Sequence, residues 1–308
     1  MTEHILPTRF CDAEEDYLPS ARLLELSDNR TLEYFEFGDP QGVPILYHHG
    51  MPGSAMEAAA LHQVFLRHGL KLISPNRPGI GSSSPAQEYC LAQITADTQA
   101  LLDHLGHSKV TVIGWSSGGV PALWLAKHAS TQVQKVILLS SYSHFSELEQ
   151  APFHHVGQAS WLKFFTSKVP RLSQLVFLCA GYLANKLPRL YFYFMTQQCH
   201  YQDVDILSNY PRLGEMLLEA QRRSFSQSYS SLYKDLVSQF EQWPFHLNSI
   251  QCPVSIFQGD CDPFVSERIG QHLADCLPNA DYNLLSGQGH LYWLENSFQY
   301  RLAHLCQI

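Results

Sequence analysis

Apolar residues in this chain gather in short runs, and between the runs they recur every three to four positions, the spacing that puts them on one face of a helix. The short runs at 23–26, 32–37, 43–47, 71–74, 110–115, 134–139, 253–257 and 282–285 read as strands. Helical spacing fills 54–68, 90–105, 117–127, 266–276 and the stretch after Leu291. Ser27-Asp28-Asn29-Arg30 is a turn signal between the first two runs and predicts a hairpin. From 43 onward strand and helix alternate, which predicts a mostly parallel eight-stranded sheet with helices on both faces, because parallel strands need a long crossover and a helix supplies it.

The alternation breaks once. Residues 144–250 show no clear strand; aromatic and leucine-rich helical segments are punctuated by Pro152, Pro170, Pro188, Pro211 and Pro244. They predict an all-helical insertion, so the expected organisation is an α/β core formed by 1–143 and 251–308 with a helical cap at 144–250. The most apolar long stretch, 172–195, is interrupted by Asn185, Lys186, Pro188 and Arg189. That leaves it short of the roughly twenty apolar residues a bilayer span needs. Internal repeats and low-complexity tracts are absent from the sequence.

Composition narrows the function classes. Hydrophobic residues make up 45% of the 308 and charged residues 16%, a globular composition with a large interior rather than a disordered one. The formal net charge is −8 with acids and bases intermixed, which recommends neither nucleic acid nor an anionic membrane as partner; a small, neutral or mildly polar molecule is expected instead. Residues 1–16 have neither a basic start with an apolar core nor a twin-arginine signal, so the expected location is cytoplasmic. Eight cysteines without a Cys-x-x-Cys pair read as reduced thiols.

The run at 110–115 ends in Gly114-Trp115-Ser116-Ser117-Gly118 and a helical pattern follows. Gly-x-Ser-x-Gly between strand and helix is the setting of a nucleophile elbow, where small residues two before and two after the serine permit a sharp turn that projects its oxygen above the sheet edge. A serine hydroxyl is a weak nucleophile at neutral pH, so Ser116 needs a histidine to take its proton and a carboxylate to hold that histidine. Of 16 histidines, His290 stands out: it closes Ser286-Gly287-Gln288-Gly289 after a strand, and the glycines free it to swing toward a site. The carboxylate comes from Gln258-Gly259-Asp260-Cys261-Asp262-Pro263, after the preceding strand. Asp262 is preferred because the proline fixes the backbone beside it, whereas Asp260 is placed to bond turn amides and Glu267 falls within the next helix. The developing oxyanion needs amide donors. Ser117 supplies one, and the turn His49-Gly50-Met51-Pro52-Gly53 supplies a second through Met51. The histidine pairs His48-His49 and His154-His155 lack the carboxylate or cysteine spacing that would complete a metal site, so no metal and no cofactor is expected.

These motifs resemble those of the α/β-hydrolase fold superfamily over nearly the whole chain: His49-Gly-x-Pro-Gly53, Arg77-Pro-Gly-x-Gly-x-Ser83, Gly114-x-Ser-x-Gly118 and the loops of Asp262 and His290. The resemblance implies Ser116, Asp262 and His290 as the triad, with Met51 and Ser117 as oxyanion donors. Asn76 departs from the pattern, since relatives commonly carry aspartate before Arg-Pro-Gly. Serine rather than aspartate at the nucleophile position implies acyl chemistry, and helical caps in this superfamily set substrate choice. Aromatic residues in 144–250, among them Trp161, Phe164, Phe165, Phe177, Tyr191 and Phe192, imply a lid over an apolar group. The acids nearest to a candidate for binding an amino terminus are Glu215 and Glu219. The expectation is thus a cofactor-free serine esterase of small, rather apolar esters. Thioester, aminoacyl-amide, carbon–carbon or acyl-transfer chemistry on the same triad, and a non-catalytic ligand-binding protein, stand as alternatives.

Overall fold

All six residues of the strand Val110–Trp115 are buried, as a strand covered by helices on both faces must be. In the computed structural model, which describes residues 20–150, 166 and 168–307, it is β5 of an eight-stranded sheet. The others are β1 (Arg22–Glu25), β2 (Thr31–Gly38), β3 (Val43–His48), β4 (Leu70–Pro75), β6 (Val133–Leu139), β7 (Val254–Gly259) and β8 (Ala280–Leu285). Their order is β1-β2-β4-β3-β5-β6-β7-β8. β1 and β2 form the expected hairpin, β2 also runs antiparallel to β4, and every other pairing is parallel.

Successive side chains of a strand point to opposite faces, and the core divides accordingly. Val112, Val136 and Leu138 pack with Leu123 and Leu101 on one face. Ile113, Trp115, Ile137 and Leu139 pack with Phe65, Trp293 and Phe298 on the other. The parallel register sets the site: His48 lies opposite Gly114, Leu139 opposite Phe257, and Gly259 opposite Leu285. The loops that follow β3, β5, β7 and β8 therefore emerge side by side along one edge.

The insertion between β6 and β7 holds the helices Phe145–Gln150, Pro170–Lys186, Pro188–Thr196, Tyr201–Asn209, Pro211–Ser224 and Tyr229–Gln239, with no strand among the described residues. Three of the prolines that punctuate the sequence, Pro170, Pro188 and Pro211, open helices, where a missing amide proton is no loss. Two predicted helices begin differently. The 54–68 pattern opens as a 3-10 helix, Ala55–Leu61, before the α-helix His62–Arg67. There the Ala55 amide donates to the Asn76 side chain and Glu57 reaches back to the Gly50 amide, so side-chain bonds shape the first turns. After Ser116 the chain likewise makes a 3-10 turn, and the α-helix Gly119–His128 follows. No helix among the described residues is long and apolar enough to cross a membrane. Seven cysteines are free thiols among the described residues. Cys11, the His154-His155 pair, Trp161, Phe164 and Phe165 lie outside the described residues, as do residues 1–16.

Candidate active site

The elbow is a forced conformation. Ser116 has φ +54°, a left-handed backbone that L-residues other than glycine seldom adopt. Its neighbours hold it there. A Cβ at Gly118 would overlap the His48 carbonyl oxygen, and one at Gly114 would stand 2.6 Å from the Gly119 Cα. The two glycines thus allow the helix to begin directly against β3, and the Tyr142 amide donates to the Ser116 carbonyl at 3.1 Å to fix the turn from the β6 side.

Of the three candidate carboxylates, the fold brings Asp262 to the histidine. His290 Nδ1–H donates to Asp262 Oδ2 at 2.6 Å, and the Asp262 side chain is wholly buried. Its other oxygen accepts the amides of Phe264 at 2.8 Å and Val265 at 3.0 Å, so the carboxylate cannot turn away. Asp260 is exposed and accepts the Gly287 amide at 2.7 Å, bracing the histidine loop from outside. Glu267 opens the helix Glu267–Cys276. Burial works to lower the pKa of His290, but the charge and hydrogen bond of Asp262, together with the charge of Asp203, outweigh it and leave the imidazole raised above its ordinary value. With Nδ1 committed to Asp262, Nε2 is the nitrogen left for chemistry. The rings of Trp115 and Phe264, each 5.2 Å from the imidazole centroid, flank it.

Asp203 is a member of this group that sequence reasoning missed. It belongs to the helix Tyr201–Asn209, is fully buried, and accepts the amides of His290 at 3.0 Å and Leu291 at 2.8 Å. Asp203 and Asp205 in a helical pattern read alike as solvated positions, and nothing local ties residue 203 to residue 290.

Arg77 is buried beneath the turn after β3 and organises it. Its guanidinium donates to the carbonyls of His49 at 2.6 Å and Gly50 at 2.9 Å, and it is paired with Asp235 at 2.8 Å, both side chains being buried. His49 Nδ1–H also donates to the Gly50 carbonyl, while the Gly50 amide donates to Glu57 at 2.8 Å. In a trans peptide the C=O and N–H point in opposite directions. Holding the Gly50 carbonyl on the guanidinium therefore turns the Met51 N–H away from it. Burial drives Glu57 up to about 8 against the opposing pull of the Gly50 amide and Arg77, and burial pushes His48 down to about 3, so that ring is neutral. Burial also lowers the pKa of His49, whose ring is spent inside its own turn. One set of three metal-type ligands, Glu147, His272 and Cys276, gathers within 4.8 Å among the described residues. None of the three lines the cavity described next.

Ser116 and His290 open onto a common cavity of about 250 Å³, whose wall also includes Met51, Phe177, Phe192, Leu217 and Phe264. Among the described residues no aspartate, glutamate, lysine or arginine lines it, and Glu215 and Glu219 are not in its wall. Phe177, Phe192, Met195, Thr196, Gln198, Cys199, Leu207, Leu217 and Gln221 come from the insertion, so that segment forms about half of the lining.

A family model described as the alpha/beta hydrolase fold matches residues 43–297. A hydrolase of Bacillus subtilis, YcgS, itself uncharacterized, is 29% identical over 272 residues, 87% of this chain and 90% of that protein. A non-heme chloroperoxidase of Streptomyces lividans is 32% identical over 117 residues, 37% of this chain and 42% of that protein. Among solved structures, the esterase EaEST of Exiguobacterium antarcticum superposes with a TM-score of 0.69 at 16% identity, covering 94% of this chain and 100% of that one.

Proposed function

Because the chain belongs to the α/β-hydrolase fold family, we propose that it is a serine hydrolase acting on small, rather apolar carboxylic esters through an acyl-enzyme. The observation that carries the proposal is the cavity, lined by no charged acid or base side chain among the described residues, onto which both Ser116 and an Asp262-held His290 open. His290 Nε2 takes the Ser116 proton as Oγ attacks the ester carbonyl, and Asp262 holds the imidazole and stabilises the imidazolium that forms. The tetrahedral oxyanion is met by the amides of Met51 and Ser117. As the intermediate collapses, His290 returns the proton to the departing alcohol; water then attacks the acyl-serine by the same base catalysis and releases the acid. The insertion, residues 144–250, acts as the cap that encloses the acyl or alcohol group and excludes bulk water. An aminopeptidase would need an anionic group to hold the substrate's ammonium, and the described lining has none.

A fluorophosphonate probe read by intact mass tests the nucleophile. One adduct is expected on the wild type and none on Ser116→Ala; folded wild-type protein that takes no adduct refutes the assignment.

The pH profile tests the base. His290 must be neutral to accept a proton, and its pKa is raised, so kcat/KM should fall on acidification through a midpoint above the ordinary 6.5 of histidine. Asp203→Asn removes a negative charge that favours the imidazolium, and the acid limb should move to lower pH. A lower kcat with an unmoved limb would reduce Asp203 to a purely structural part.

A further inference from the structure

The outward face of the insertion carries a second surface. On the helix Pro170–Lys186, Ser173 and Ala184 are buried and Phe177 lines the cavity, whereas Leu172, Leu175, Val176 and Tyr182 are 50%, 52%, 59% and 63% exposed. Leu172, Leu175, Cys179 and Tyr182 follow one another at three- and four-residue steps, so the solvent side of this helix is itself an apolar stripe. The helix Pro188–Thr196 continues it with Tyr193 and Phe194, 45% and 49% exposed. A helix on the surface of a globular protein normally turns polar residues to water, and a contiguous exposed apolar patch marks an interaction site.

The charge around the patch identifies its partner. From 151 to 202 the sequence has no aspartate or glutamate and five cations, Lys163, Lys168, Arg171, Lys186 and Arg189, which leaves −13 on the rest of a chain whose total is −8. Lys168, Arg171, Lys186 and Arg189 are all exposed beside the apolar stripe. The whole-chain charge that spoke against a membrane partner thus conceals a local reversal. A two-fold contact between copies would set the same patch against itself, bringing cations to cations with no acid from this stretch to pair them. An anionic lipid surface offers both complements at once: acyl boundary for Leu172, Leu175 and Val176, interfacial depth for Tyr182, Tyr193 and Phe194, and headgroup charge for the cations.

We propose that the outer face of Pro170–Thr196 docks the protein on the surface of an anionic phospholipid bilayer, lying on it without crossing it. The inner face of the same helices borders the cavity through Phe177, Phe192 and Met195, so docking would bring the cavity wall next to a reservoir of apolar molecules.

Co-sedimentation of the full-length protein with extruded vesicles tests this without reference to catalysis. Vesicles with roughly a third phosphatidylglycerol should retain the protein at low salt and release it at high salt, and pure phosphatidylcholine vesicles should retain little. Leu172→Gln/Leu175→Gln/Tyr182→Gln keeps the charge and replaces only exposed positions, so it should lose binding while turnover of a water-soluble ester stays at the wild-type level. Arg171→Gln/Lys186→Gln keeps the apolar stripe and should weaken binding about thirty-fold, about five-fold for each cation near an anionic surface. Absence of wild-type sedimentation with anionic vesicles, or undiminished binding by the triple variant, overturns the proposal. A wild-type dimer by light scattering that the triple variant converts to monomer, without vesicle binding, assigns the face to a second copy instead.

Discussion

His290→Ala should lower kcat on a short ester by about 10⁵- to 10⁶-fold, and Ser116→Ala by a similar factor, with unchanged circular dichroism. The size follows from interdependence: the hydroxyl is inert without a base, and the base has nothing to deprotonate without the hydroxyl. The double variant should therefore be no slower than either single one, the residual rate coming from the oxyanion amides and the cavity. Asp262→Asn should fall less, by about 10⁴-fold, because the carboxamide still meets the ring but favours the wrong tautomer. Losses that multiply in the double variant would mean that Ser116 and His290 do not act on one proton.

The second large effect is on stability. Asp235→Ala should destabilise the fold by about 3–5 kcal/mol, read from the midpoint of chemical denaturation. Arg77 and Asp235 are 1% and 0% exposed, and the guanidinium cannot discharge by losing its proton, so removing its partner strands a cation in the interior. Arg77→Met/Asp235→Leu should recover part of that stability, since a buried pair often stabilises no more than apolar residues of similar volume, the remainder being lost with the guanidinium's bonds to the His49 and Gly50 carbonyls. Activity should not recover with it. The double variant lacks the donor that holds the carbonyls of His49 and Gly50, and with it the orientation of the Met51 amide. If activity returned together with stability, Arg77 would serve the fold alone.

What the sequence made legible is what depends on neighbours in the chain. Short apolar, β-branched runs located all eight strands, most plainly where a strand is covered on both faces, as Val110–Trp115 is, and admits little else. Gly114 and Gly118 announced the elbow because close backbone approach excludes any side chain. Asp262 was separable from Asp260 by its proline and by a short-range geometry that the amides of Phe264 and Val265 complete. Asp203 and Asp235 were illegible for the opposite reason. Each is an acid within a helix, and its meaning lies in partners 87 and 158 residues away along the chain, at His290 and Arg77. Helical periodicity in 170–186 likewise gave the helix but not which side faces inward, since apolar residues occupy both.

Asp203 and Asp235 both reach out of the insertion into the walls of the site, one gripping the histidine loop and the other the arginine beneath the β3 turn. The insertion is therefore not an interchangeable module. A chimera that received a foreign segment in its place would lose the hold on the His290 loop and on Arg77 unless the graft restored both carboxylates. Replacing the segment would therefore be felt first in the two loops it grips, before any change in what fills the cavity.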